Sequence, residues 1–318
     1  KETNVKEIMD RVISDLYKSA GRTDLMKLDL PKVMSLFTKE ELQILSTHHW
    51  MFDANVPVVV SVMQSSEQKT VPFWLAASGF KKTALTMNNR QTTYIVWQKS
   101  FSAGRVHLGV NGFENGLALH YFVSVAPQNK NDLLKLTHFF PENQQVTVLK
   151  DGASTYQDWD ELVLQNVPET MKGQQLLATT RGRASESHLV DAFRSTPYPS
   201  SPIPDQIILT WSADPSKSID VQWRTNAASN ASTIQFRVRG STKELSAVAE
   251  KIVLEDRMLM NDRFSNHYTA KLTGLKPGTS YQYQIASQTE WSDTETFTTA
   301  AMDSSFSFLW FGDTHFSP

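Results

Sequence analysis

Four prolines fall within the nine residues 196–204, Thr-Pro-Tyr-Pro-Ser-Ser-Pro-Ile-Pro, and they divide the chain. Proline fixes φ and carries no N–H, so this stretch can neither be a helix nor lie inside a central strand. It reads as a stiff, extended linker and as the strongest domain boundary in the sequence. The segments on either side are each long enough for a domain. With 40% hydrophobic and 20% charged residues, the composition is that of ordinary globular domains.

Before the linker, residues 4–20 place Val5, Ile8, Met9, Val12, Ile13, Leu16 and Tyr17 at helical spacing. Asn4 with Glu7 has the form of a capping box, and Gly21 is a plausible stop. Thr38 with Glu41 opens a second short helix, with Leu42, Ile44 and Leu45 on its apolar side. After Pro57 the texture becomes β. The segments 58–63, 91–99, 117–125 and 145–149 are rich in β-branched and aromatic residues, and Asn88-Asn89, Asn111-Gly112, Asn115-Gly116 and Asp151-Gly152 punctuate them. That spacing predicts an antiparallel sandwich rather than βαβ units. Residues 159–164 and 174–180 are assigned a short helix and one more strand.

Beyond the linker, the segments 207–211, 219–223, 233–238, 267–272, 281–285 and 294–298 read as successive strands. A domain of this size built from them fits a seven-stranded immunoglobulin-like sandwich over 206–299. Its most specific signal is Leu275-Lys-Pro-Gly-Thr-Ser-Tyr281-Gln-Tyr283. Pro277-Gly278 makes the turn, and Tyr281 can fold its hydroxyl back onto the corner backbone. Trp223 is assigned to the inter-sheet core. The run 275–283 is similar to the fibronectin type III signature, so the expected fold class is mainly β: short N-terminal helices, an antiparallel β-sandwich, then a fibronectin type III-like β-sandwich. The expected divisions are 1–56 (helical), 57–195 (first sandwich), 196–204 (linker), 205–300 (second sandwich) and 301–318.

Several function classes are disfavoured by composition. The net charge of −2 gives no basic footprint for nucleic acid or anionic membrane. There are no cysteines, which excludes disulfides, thiolate metal sites and cysteine nucleophiles. No apolar run is long enough to span a bilayer. The opening Lys1-Glu2-Thr3 lacks an initiator Met and a signal peptide, as a trimmed secretory leader or an engineered start would leave it. A periplasmic or secreted location is the expectation.

The candidate chemistry lies at the end. Ser307-Phe-Leu-Trp-Phe311 reads as a buried parallel strand, followed at once by Gly312-Asp313-Thr314-His315. A carboxylate and an imidazole one residue apart, just past the carboxyl end of a strand, are well placed to chelate one cation. Asp and His together suit iron, zinc or manganese. Taken alone, Asp-x-His is a short motif that arises often by chance.

Its setting carries more weight. Trp223-Arg-Thr, His267-Tyr-Thr-Ala-Lys-Leu-Thr-Gly-Leu-Lys-Pro-Gly-Thr-Ser-Tyr-Gln-Tyr283, Thr296-Phe-Thr-Thr and Phe308-Leu-Trp-Phe-Gly-Asp-Thr-His315 resemble the purple acid phosphatase N-terminal domain leading into the first motif of a calcineurin-like metallophosphoesterase. The resemblance covers about the last third of the chain. It implies that Asp313 and His315 are first-motif ligands of a two-metal centre (Fe, Zn or Mn) that hydrolyses a phosphoester in an intact parent. Purple acid phosphatases usually carry glycine where His315 stands, which favours the broader phosphoesterase family. The family's later motifs would lie beyond Pro318, so this stretch is expected to hold no complete site, to bind no metal and to be inactive by itself.

The remaining polar residues have ordinary readings. Adjacent His48 and His49 point in different directions and are assigned to a wet helix end rather than a metal site. His107, His120, His138 and His188 are assigned as single structural or exposed residues, and His267 to packing or hydrogen bonding. Arg181-Gly-Arg183 with Ser185, Ser187 and His188 could form an anion cradle but is assigned to a solvated turn. Phe73, Trp74, Tyr94, Trp97, Phe101, Phe113, Tyr121 and Phe122 could form a carbohydrate platform but are assigned to the core. The alternative to an enzyme's accessory region is a tandem β-sandwich module that binds a polymer or partner protein.

Overall fold

A computed structural model describes residues 3–115, 120–287, 290–302 and 307–312. The chain divides into two compact units, residues 1–194 and 195–318.

The first unit opens on α1 (Val5–Ser19), whose apolar stripe Val5, Ile8, Met9, Val12, Ile13 and Leu16 is buried. Both halves of the Asn4–Glu7 capping box form. The helix ends through Ala20, and Gly21 instead caps the next turn, α2 (Arg22–Leu25). After α3 (Leu30–Met34), the Thr38–Glu41 capping box starts α4 (Lys39–Thr47), where Leu45 is the buried residue. Strand β1 (Trp50–Ala54) follows at once, so residues 1–56 supply a strand as well as helices.

The remaining elements of this unit are β2 (Val58–Ser65), α5 (Phe73–Ala77), β3 (Lys81–Asn88), β4 (Thr93–Phe101), β5 (Gly104–Leu108), β6 (Phe122–Pro127), β7 (Leu136–Phe140), β8 (Val146–Val148) and β9 (Gln175–Leu177). They form a three-stranded sheet, β5-β1-β7, and a six-stranded sheet, β3-β4-β2-β6-β9-β8. Every pairing between these strands is antiparallel. One face of β2 contributes Val58, Val60 and Val62 to a core shared with Trp50 and Phe52 of β1, Trp74, and Val123 and Val125 of β6. Its opposite face contributes Met63 to a second core with Tyr94, Val96, Phe122, Leu164 and Met171. Burial on both faces explains why β2 reads as an apolar run rather than an alternation.

Residues 159–164 are not a helix. Val163 bridges Ser154 in extended pairing, and Leu162 and Leu164 are buried two positions apart, a strand-like period. Gly109 sits where a Cβ would fall 2.5 Å from the Trp74 ring, so its missing side chain makes room for the indole.

In the second unit, β10 (Asp205–Thr210), β11 (Ile219–Asn226), β12 (Thr233–Val238), β13 (Leu245–Val248), β14 (Glu250–Glu255), β15 (Phe264–Leu272), β16 (Ser280–Ile285) and β17 (Glu295–Thr298) form two four-stranded sheets. Their orders, β10-β11-β15-β14 and β13-β12-β16-β17, are the two-layer arrangement of an immunoglobulin-like sandwich. The unit has eight named strands, not the expected seven, because β13 and β14 were not legible. All six residues of β14 are exposed, so it shows no alternation. The proline-rich stretch is fastened to this unit: Thr196 exchanges hydrogen bonds with Asn261 at 3.0 and 2.9 Å, and Asp262 accepts from the Ser200 amide at 2.8 Å.

Candidate functional site

Asp313 and His315 lie outside the described residues. Residues 307–312, just before them, carry no strand. Phe308, Leu309, Trp310 and Phe311 are 70%, 84%, 89% and 73% exposed, so among the described residues this run is not the buried strand that the resemblance implies for an intact parent. A strand needs hydrogen-bonded neighbours, and none of the named strands pairs with this run. Among the described residues, no group of three or more His, Asp or Glu is placed to hold a metal ion.

The tyrosine corner forms. Tyr281 is buried on β16, and its hydroxyl accepts from the Lys276 amide at 2.9 Å. Gly278 takes φ +56° in the intervening turn. Trp223 is buried, stacks on Tyr268 at 5.4 Å and donates to the Ala231 carbonyl at 3.0 Å. His267 is half-buried beside Ser265, 3.1 Å away, as a packing residue.

A buried polar constellation in the first unit was not expected. His49, His120, Arg183 and His188 are all buried, and the first two are 1% exposed. The His49 and His120 rings stack at 5.1 Å, with their Nε2 atoms 2.7 Å apart. The segment Arg181–Ser187 is a 3-10 helix, not a solvated turn. Its Arg183 guanidinium lies 4.9 Å over the Trp50 ring and donates to the His49 carbonyl. Those two contacts bury the arginine. Ser187 donates to Gly112, and Glu186 lies 3.3 Å from His49 Nδ1.

The reading of His49 as a helix-end residue on a wet face is therefore corrected, as is that of Arg183 and His188. His49 immediately precedes the inward-facing Trp50, and the start of β1 carries it into the core. His48 does point elsewhere, with its ring 5.8 Å from that of exposed His107. His138 is exposed and pairs with Asp53 at 2.9 Å.

Burial sets the electrostatics. It pushes the His49 imidazole well below its ordinary range, and Arg183 pushes it further. The same holds for His120, where burial leads and His49 and Arg183 add. Burial alone lowers His188 to about 4. Burial raises the Glu186 carboxyl, against the pull of Arg183.

The aromatics considered as a carbohydrate platform are core. Trp74, Tyr94, Phe113, Tyr121 and Phe122 are buried, and Phe73, Trp97 and Phe101 pack against the core partly buried.

These features define the second unit as a fibronectin type III-like β-sandwich with an intact tyrosine corner. Residues 204–299 match the family model of the purple acid phosphatase N-terminal domain. Two solved structures are similar. One is a two-domain fibronectin type III segment from chicken tenascin, 12% identical, covering 78% of this chain and 94% of that one, with a TM-score of 0.19. The other is a computationally redesigned β-sandwich protein, 17% identical, covering 31% of this chain and 96% of that one, with a TM-score of 0.21. No curated protein matches the chain. No helix among the described residues is long and apolar enough to cross a membrane.

Proposed function

We propose that the second unit is the accessory domain of a metal-dependent phosphoesterase and that residues 307–315 lead into its catalytic domain. The observation that carries this reading is the family match over 204–299, followed within ten residues by four consecutive exposed apolar side chains, Phe308–Phe311. A contiguous exposed apolar run marks a surface that is covered by something else. A catalytic sheet that takes up this run as a strand would cover it. Such a strand would set Asp313 and His315 at its carboxyl end, where sites in open α/β sheets form.

Asp313 and His315 are a donor pair suited to iron, zinc or manganese. A metal pair there would supply charge stabilisation to a phosphoester undergoing hydrolysis. Two side chains do not fill a shell of four to six ligands, so the reading calls for further ligands from a following domain. The first unit, with its aromatics committed to its cores, is proposed to support or shield that domain.

The test is hydrolysis of p-nitrophenyl phosphate with added manganese, zinc or iron, by residues 1–318 and by a polypeptide extended through the following domain. The reading expects turnover only in the longer polypeptide, lost on Asp313→Asn. Metal-dependent turnover by residues 1–318 themselves would overturn the division of labour.

A further inference from the structure

The buried imidazole pair belongs to the first unit and plays no part in the phosphoesterase reading. Its hydrogen bonds determine where its protons sit. His120 Nδ1 lies 2.5 Å from the Tyr121 carbonyl, which can only accept, so this nitrogen carries a hydrogen. In a neutral ring, His120 Nε2 is then an acceptor. The hydrogen in the 2.7 Å contact therefore belongs to His49 Nε2. His49 Nδ1 is left with a lone pair, buried and without a hydrogen-bond partner, 3.3 Å from Glu186.

The pair therefore has room for only one more proton without damage. That proton goes on His49 Nδ1, where Glu186 faces it. A further proton must go on His120 Nε2, where it would oppose the His49 N–H head to head.

We propose that the His49–His120 contact is a proton-operated latch, which holds the 3-10 segment Arg181–Ser187 against the start of β1 when the rings are neutral and releases it when both are charged. The charges facing the pair set the direction. From the 3-10 segment and the residue after it come Arg183, Glu186 and His188, and the strand-side neighbour is Tyr121. Arg183 interacts with both rings, and His188 with His120. Thr179 adds a neutral hydroxyl at 3.1 Å from His120 Nδ1. Arg181 is engaged elsewhere, with Asp158 at 3.4 Å and the Trp159 ring at 4.7 Å.

With neutral histidines, Arg183 and Glu186 balance. Two added protons leave a net charge of two in a buried site whose nearest carboxylate, Glu186, is half-exposed. Arg183, tied to the His49 carbonyl and the Trp50 ring, is the group that must leave, and the 3-10 segment goes with it.

The experiment follows residues 1–318 from pH 7.5 to 4.5 by amide exchange over 181–188, corrected for intrinsic rates, and by NMR of nitrogen-15-labelled histidines. At pH 7.5 a through-hydrogen-bond coupling should join the two Nε2 atoms. Below about pH 6.5 the opening constant should rise tenfold to hundredfold per pH unit, as one or two protons are taken up. The coupling should vanish over the same range. His120→Gln, which cannot titrate, should flatten the rise. Glu186→Gln should move the opening to higher pH, because it removes the carboxylate facing His49. An unchanged pH dependence in His120→Gln would overturn the latch. Should that variant not fold, an absent coupling in the unsubstituted chain or a shift to lower pH in Glu186→Gln would overturn it equally.

Discussion

The Tyr281 hydroxyl accepts a hydrogen bond from the Lys276 amide at 2.9 Å, so the chain entering β16 is tied to the turn that precedes it. The ring is held independently, stacked on Phe297 at 5.3 Å. Tyr281→Phe therefore removes the corner bond and keeps the packing. It should cost about 1 kcal/mol, the net value of one hydrogen bond with some added for the unpaired amide. Urea titration should show the loss as a lower midpoint for the second unit, with faster exchange at the Lys276 amide. An unshifted midpoint with unchanged exchange would show that the corner contributes nothing.

Trp223 fills the space between the two sheets of that unit and stacks on Tyr268. Trp223→Ala should destabilise the unit by about 3–5 kcal/mol, through lost burial and the cavity left behind. Calorimetry should show the second unit melting earlier, while the melting of the first, which has its own cores, stays in place.

Among the described glycines, Gly109 makes the closest approach to its neighbours. An added Cβ would lie 2.5 Å from the Trp74 ring and 2.7 Å from the Leu45 carbonyl. Neither can move freely, because Trp74 donates to Val110 and the Leu45 carbonyl accepts from the Val110 amide. Gly109→Ala should cost about 1–3 kcal/mol, the usual penalty for overpacking, read as a drop in the first unit's unfolding midpoint.

The stability of the first unit should fall as pH drops below about 6.5. His49, His120 and His188 all have folded values below the ordinary one, so the unfolded chain binds more protons in that range and gains from acid. Each such histidine contributes a slope of at most about 1.4 kcal/mol per pH unit between its unfolded and folded values. For His188 that window closes near pH 4. Glu186 has the opposite sign: its raised carboxyl takes up a proton earlier when folded and offsets part of the loss. Unfolding midpoints measured at intervals from pH 7.5 to 4.5 should fall monotonically at first, and a flat profile would contradict the assignment.

Local chemistry was legible in the sequence where one short stretch carries the whole signal. The two capping boxes, the Pro277-Gly278 corner, buried Trp223 and the antiparallel strands β2 and β4 depend on residues close in sequence. Strands β1, β5 and β7 were missed because each is short and carries at most one β-branched residue, which leaves little strand signal. Strand β14 hides because both its faces are exposed. The histidine–arginine cluster could not be read at all. His49, His120 and Arg183 come from three separate segments, and only the start of β1 brings them together. Polar residues read singly default to solvent, and pairing across the fold is what permits their burial.

The most direct measurement of the phosphoesterase reading is the metal content of a polypeptide extended through the catalytic domain that this reading proposes beyond residue 318. Elemental analysis of the purified protein should find about two ions of iron, zinc or manganese per chain, as a two-metal hydrolytic centre requires. Asp313→Asn and His315→Ala should each lower that content while the sandwich of residues 204–299 stays folded. Residues 1–318 alone should retain none. A folded, extended protein with no bound metal, or with a content unaffected by both substitutions, would contradict the account.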